Sequence, residues 1–177
     1  MIRVLLFFIF LILFSCKEKT IYDLTFLDLS GKAVRISSKG KKLLLYVWSG
    51  TCIGHTEDLK VLNSEYEKLT KDYHVVSVAV FMTPEGVKEF VQKVKIKPRF
   101  PILADPKGNL TEIEKLIFLP ATLIFTPEGK LLNNYPRLPL QRLMSFVESD
   151  DLGFCYYKSL DSLFNFASWH TCRESEI

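Results

Sequence analysis

Residues 48–55 read Trp-Ser-Gly-Thr-Cys-Ile-Gly-His, and two of these side chains are equipped for chemistry. Cys52 carries a thiol whose deprotonated form is both a nucleophile and a soft metal ligand. It follows a continuous apolar run and precedes a helical pattern, so unpaired backbone N–H groups and the helix dipole are expected to face its sulfur. Such surroundings lower a thiol pKa from about 8.5 toward roughly 3.5–7.5. His55 stands three residues on, one turn up the same helix face, where its imidazole can donate a hydrogen bond or a positive charge to the thiolate. Two cysteines at this spacing can close a disulfide, whereas a cysteine and a histidine cannot. A redox cycle through Cys52 therefore needs its second sulfur from elsewhere. The competing structural readings are a surface histidine at 55 and a buried inert thiol at 52. Gly50 and Gly54 leave the backbone open and speak against the second of these.

Three further cysteines are present, at positions 16, 155 and 172. Cys16 ends a segment with one early Arg3, an unbroken apolar run from Val4 to Phe14, and charge immediately after. That run has the length of a signal-peptide apolar region and falls short of the ~20 residues a membrane-spanning helix needs. Leu13-Phe14-Ser15-Cys16 resembles a bacterial lipoprotein box, which implies cleavage after residue 15 and lipidation of Cys16; an uncleaved short anchor is the alternative. Both put the remaining chain outside the cytoplasm, where disulfides persist. Cys155 and Cys172 lie in a tail whose Tyr156, Leu160, Leu163, Phe164 and Ala167 recur at helical spacing, as in a helix docked on the body. A bridge between these two would contribute about 3 kcal/mol in the chain-entropy model and would leave Cys52 as a monothiol. Alternatively, the tail folds over the site and either cysteine serves as a remote resolving thiol.

The elements that must position Cys52 are legible between these ends. The chain has 177 residues, 48% hydrophobic and 24% charged, as expected of one globular domain. A formal charge of +3 with scattered lysines gives no stripe for nucleic acid. Residues 24–37 read as two short strands about a Ser30-Gly31 turn, an N-terminal β-hairpin. Residues 41–49 read as a strand covered on both faces. Leu59, Leu62, Tyr66 and Leu69 mark one long helix, with Glu57 and Asp58 early and Lys68 and Lys71 late to suit its dipole. His74 opens the next strand, and its simplest role there is as a partner for the end of that helix. Thr83 and Pro84 are the expected cap and first position of another helix. A short extended stretch and turn cover Phe100–Gly108, a hairpin follows Leu119-Pro120, and residues 138–149 close with a helix. Strands alternating with helices argue for an α/β domain with a mixed central sheet flanked by helices.

The order of leading hairpin, LLLYVWSGTC, long helix, VVSVAVF, FPILADPKG, LPATLIFTPEGK and last helix resembles the extracytoplasmic thioredoxin-like proteins of the TlpA and ResA type, relatives of the AhpC/TSA proteins. The resemblance covers roughly residues 24–149. It implies a thioredoxin-like fold there, and the N-terminal and tail patterns read above then divide the rest of the chain into a signal peptide over 1–15, a linker over 16–23 and a helical extension over 150–177. It also implies that Cys52 is the attacking cysteine, that the resolving cysteine falls on His55, and that Pro120 is the cis-proline packed against the motif. Leu119 and Pro120 would then offer backbone to an extended substrate, and Trp48 would be the aromatic that shields the motif and meets substrate.

Three functional classes follow. The first is an envelope thiol-disulfide oxidoreductase or isomerase in which Cys52 attacks a protein disulfide, tuned by His55, with release by a substrate thiol or an external reductant. It needs no cofactor, and its partners are protein thiols or disulfides and, through the lipid, the membrane. A peroxidase is a variant of this class, although of the Pro and Thr expected ahead of the cysteine only Thr51 is present. The second is a copper-, zinc- or haem-handling module using Cys52 and His55 with further ligands such as His170 or Cys172. The third is a binding scaffold without redox chemistry.

Overall fold

The computed structural model describes residues 19–51 and 54–148. Along the chain the elements are β1 (Phe26–Leu27), β2 (Ala33–Val34), β3 (Lys42–Trp48), α1 (His55–Ser64), α2 (Tyr66–Leu69), β4 (Tyr73–Val80), α3 (Pro84–Lys93), β5 (Ile102–Asp105), β6 (Ala121–Phe125), β7 (Leu131–Pro136) and α4 (Leu140–Glu148). The strands form one sheet in the order β2-β1-β5-β4-β3-β6-β7. β4 runs parallel to both β3 and β5, while every other neighbouring pair is antiparallel. This is the mixed sheet with an N-terminal hairpin that the sequence pattern requires.

The continuous apolar run becomes β3 because the strand feeds two core layers. Leu44, Tyr46 and Trp48 point into one layer and Leu43, Leu45 and Val47 into the other, and all six are fully buried. The four described α-helices pack on the first layer through Leu59 and Leu62, Leu69, Val87, and Leu143. Burying one such leucine contributes about 2 kcal/mol. The second layer is closed instead by Ile21, Leu24, Phe26, Ile36 and Leu110, with short 3₁₀ turns at Ile21–Asp23 and Asn109–Glu112. Among the described residues, part of the stretch read as a linker belongs to this packing, since Ile21 is fully buried and Tyr22 donates its hydroxyl to the Thr126 carbonyl.

The expected long helix is broken at Glu65 (φ −91°, ψ 3°). Ser64 Oγ donates to the Val61 carbonyl, the same oxygen that the Glu65 N–H uses, and such back-bonding bends a helix. Thr83 caps α3 as expected, its Oγ1 accepting from the Gly86 N–H at 3.2 Å.

His74 does not serve a helix end. It lies within β4 opposite Leu43, and its Nδ1–H donates to the Ser37 carbonyl at 2.9 Å. Burial, then the nearby Lys39 ammonium, lower its imidazole below the ordinary 6.5, against a smaller opposite effect from the Ser37 bond. The folded protein therefore binds fewer protons here than the unfolded chain. This contribution is complete above the unfolded value and is lost as pH falls through the folded one. The urea midpoint should drop between about pH 7.5 and about pH 5.5, and His74→Gln should flatten part of that slope. An unchanged slope in the variant would refute the assignment.

The expected signal peptide, Cys16, Cys52, and the tail with Cys155, His170 and Cys172 lie outside the described residues. Among the described residues, no helix is long and apolar enough to cross a membrane.

Candidate active site

β3 delivers Trp48 to the carboxyl-end pole of the sheet, in register with Ala79 of β4, while Val47 stands opposite Ala121 of β6. The ends of the three parallel strands and the start of β6 therefore lie side by side at this pole. Trp48 is fully buried, and its Nε1–H donates to Ser77 Oγ at 2.8 Å. It lies beneath the surface and cannot itself meet substrate in this structure.

His55 opens α1 and is 6% exposed. Its ring stacks on Trp48 (centroids 5.3 Å, planes 10° apart) and tilts against Phe90 of α3 at 4.8 Å. A surface histidine at this position is thereby excluded. The imidazole is held in an aromatic clamp at the N-terminus of the helix that follows Cys52.

The second wall of the site is the loop entering β6. The Leu119–Pro120 peptide is cis, Pro120 is buried and Leu119 is half-buried. Pro120 accepts a hydrogen bond on its carbonyl from the Arg137 N–H at 3.1 Å, just past the end of β7. Thr122 Oγ1 donates to the Arg137 carbonyl at 2.6 Å. The Arg137 side chain crosses to α1, where Nη2 donates to Asp58 Oδ1 at 2.9 Å and to the Gly54 carbonyl at 3.4 Å. Tyr46 donates its hydroxyl to Asp58 Oδ2 at 3.0 Å. The Asp58 carboxylate, by hydrogen bond and by charge, raises the Arg137 guanidinium above its ordinary value, with smaller help from Tyr46 and Glu57. Glycine suits position 54 by its backbone, and any side chain there would have to displace the Arg137 guanidinium. The Gly54 φ of 85° is left-handed, and a Cβ there would stand 2.7 Å from Arg137 Nη2.

Sequence reading did not find Arg137 or Tyr46, and assigned Asp58 only to the helix dipole. Nothing in the spacing of YPRLP marks an arginine that reaches back to residues 54 and 58. The alternation of β3 did place Tyr46 and Trp48 on one face, and Asp58 follows His55 by one helical turn, so a buried carboxylate beneath the site was the one signal available.

Around this pole several large apolar side chains are exposed. Ile117 and Phe118, which lead into the cis-proline, are 71% and 73% exposed, and Phe81 at the end of β4 is 61% exposed. Ile117 and Phe118 line a groove of about 470 Å³ with Lys115, Ala121, Asn134 and Pro136. Among the described residues, no three of His, Cys, Asp and Glu converge as a metal site.

The AhpC/TSA family matches residues 18–133 of this chain. Sporulation thiol-disulfide oxidoreductase A of Bacillus subtilis (strain 168) is 25% identical over 107 residues, an alignment that covers 58% of this chain and 64% of that protein. The chain thus spans less than two-thirds of that relative's length. Among solved structures, the pneumococcal exposed lipoprotein thioredoxin Etrx1 from Streptococcus pneumoniae strain TIGR4 aligns with a TM-score of 0.59 at 23% identity, covering 70% of this chain and 96% of that one. The thioredoxin domain of a thiol-disulfide oxidoreductase from Bacteroides vulgatus aligns with a TM-score of 0.57 at 20% identity, covering 75% and 97%. The fold is thioredoxin-like.

Proposed function

The chain belongs to the AhpC/TSA family, and from that premise we propose that it is a thiol-disulfide oxidoreductase or isomerase of the cell envelope, acting through the single nucleophile Cys52. The observation that carries this reading is the burial of His55 against Trp48 and Phe90 at the start of α1, where a dithiol enzyme would carry its second sulfur. An imidazole fixed there supports the thiolate electrostatically but supplies no resolving thiol.

The step balances without a cofactor. The Cys52 thiolate attacks one sulfur of a substrate disulfide, the substrate S–S bond breaks, a mixed disulfide forms and a substrate thiolate leaves. A second substrate thiolate then attacks the mixed disulfide, giving a rearranged substrate disulfide and returning Cys52 as thiolate. With an external dithiol as the second attacker, the substrate ends reduced and that dithiol oxidised. The exposed Ile117 and Phe118, which lead into Leu119 and cis-Pro120, and the exposed Phe81 after β4 support a polypeptide substrate laid along this pole.

Lipidation of Cys16 after removal of residues 1–15 would tether the protein to the membrane. Thr20 and Tyr22 pack at the β6–β7 turn, the pole opposite the site, so a tether here would hold Cys52 away from the bilayer, toward soluble envelope partners. Cys155 and Cys172 would form a structural bridge in the 150–177 extension. The test combines activity with peptide mapping under non-reducing conditions. Cys52→Ser should reduce insulin reduction and disulfide isomerisation to the uncatalysed rate, and the oxidised parent should yield a Cys155–Cys172 crosslink. A crosslink from Cys52 to either tail cysteine would sink the monothiol form, and an inactive parent would sink the enzyme.

A further inference from the structure

Arg137 touches both walls of the site. Its backbone, at φ 62°, is tied to Pro120 through its N–H and to Thr122 through its carbonyl. Its guanidinium is tied to the first turn of α1, where Gly54 and Asp58 are the two ends of the helix's first hydrogen bond (Asp58 N–H to Gly54 carbonyl, 3.1 Å). The Asp58 side chain is only 11% exposed and the Arg137 side chain 57%. The carboxylate is therefore the fixed partner, and the arginine reaches in from the rim to neutralise it. A carboxylate in the first turn suits the helix dipole but opposes a thiolate at the same N-terminus. Arg137 offsets that opposition and brings a positive charge beside Gly54, two residues past Cys52 in the chain.

We propose that Arg137 is a positioning residue for the Cys52 chemistry, locking the first turn of α1 to the cis-proline loop and setting the charge at that helix start. The inference deepens the reading of Cys52 as the nucleophile and rests on it. The titratable groups that share this corner are Asp58, Glu57 and His55 of α1 and Tyr46 of β3; the side chains packed on His55 from β3 and α3, Trp48 and Phe90, carry no charge.

The test is peptide-resolved alkylation of Cys52 by iodoacetamide against pH, in the full reduced chain. It compares the parent with Arg137→Gln, Arg137→Lys and Asp58→Asn. Arg137→Gln should raise the Cys52 midpoint by about half a unit or more and slow alkylation at neutral pH by about threefold or more. Arg137→Lys, which keeps the charge, should stay near the parent, and Asp58→Asn should move the midpoint the other way. A merely structural arginine would give equal shifts for the glutamine and lysine variants, and that result overturns the proposal. So does no shift in any variant, or shifts of one sign in Arg137→Gln and Asp58→Asn. Should Arg137→Gln fail to fold, Arg137→Lys and Asp58→Asn decide: a midpoint near the parent's in the first with a lowered one in the second upholds the proposal, and a raised midpoint in Arg137→Lys or an unlowered one in Asp58→Asn overturns it. The parent's own midpoint separately judges the nucleophile, since a value near 8.5 rejects an activated thiol whatever Arg137 does.

Discussion

His55→Cys is expected to convert this protein from one that stalls as a mixed disulfide into one that clears it. On the proposed monothiol mechanism, a substrate joined to Cys52 in the parent waits for a thiol from solution or from the substrate itself. Incubated with a reduced-and-oxidised peptide pair, then quenched with acid, the parent should show a Cys52–peptide adduct by mass spectrometry. A cysteine introduced in place of His55 would stand at the first residue of α1, in the pairing range that a two-cysteine motif uses at a helix start. An intramolecular thiol acts at an effective concentration of millimolar or more, so the adduct should fall by about tenfold or more. A disulfide between Cys52 and the introduced thiol should replace it. Insulin reduction with an external dithiol should rise correspondingly. Some stability will be lost, because removing the ring that packs on both Trp48 and Phe90 leaves a void worth about 1–3 kcal/mol. The urea midpoint separates that loss from the chemistry. An adduct that persists unchanged in His55→Cys, or one that never forms in the parent, would defeat the monothiol mechanism.

Asp105→Ala should be the most damaging substitution for the fold among the motif residues. Asp105 ends β5 with its carboxylate fully buried. One oxygen accepts from the Asn109 N–H at 2.8 Å and the other from the Leu110 N–H at 2.9 Å, which closes the turn that includes Gly108. That turn is close-packed, since a Cβ at Gly108 (φ 70°) would collide with the Phe81 ring. Removing the carboxylate orphans two N–H donors, one of them on the fully buried Leu110. At about 1.5–3 kcal/mol for each charge-assisted bond, the loss should be about 3–6 kcal/mol by urea unfolding. Asp105→Asn retains one acceptor and should lose roughly half as much. A loss below about 1 kcal/mol would show that the turn holds itself.

The same residue shows how motif and structure divide the work. The run Phe-Pro-x-Leu-x-Asp-x-x-Gly is visible as a string, but its reason is a carboxylate folded back onto the N–H groups four and five residues later. Local signals of this kind carried most of the element reading. The apolar run of β3, the Thr83 cap, the Ser30-Gly31 turn and the hairpin after Leu119-Pro120 are all written within a few residues, where periodicity and backbone preference act directly. The break at Glu65 escaped because the apolar stripe continues across it and only the Ser64 hydroxyl competes for the ladder. His74 was misassigned because its partner, Ser37, is 37 positions away.

The candidate site divides along the same line. Cys52 and His55 are three residues apart, and a nucleophile beside a histidine at a helix start follows from their chemical types and spacing alone. The sequence by itself also determined that the neighbouring sulfur is missing, because no folding can place a thiol where an imidazole is encoded. Only the tertiary structure decided what surrounds that pair. It buried His55 against Trp48 and Phe90, turned Trp48 away from the surface, and brought Arg137 across 79 positions to Asp58. The physical reason is that burial and ion pairing depend on which strands become neighbours. The placement of β6 beside β3, with β7 following at its edge, is set by the core as a whole and by no residue that forms the contact.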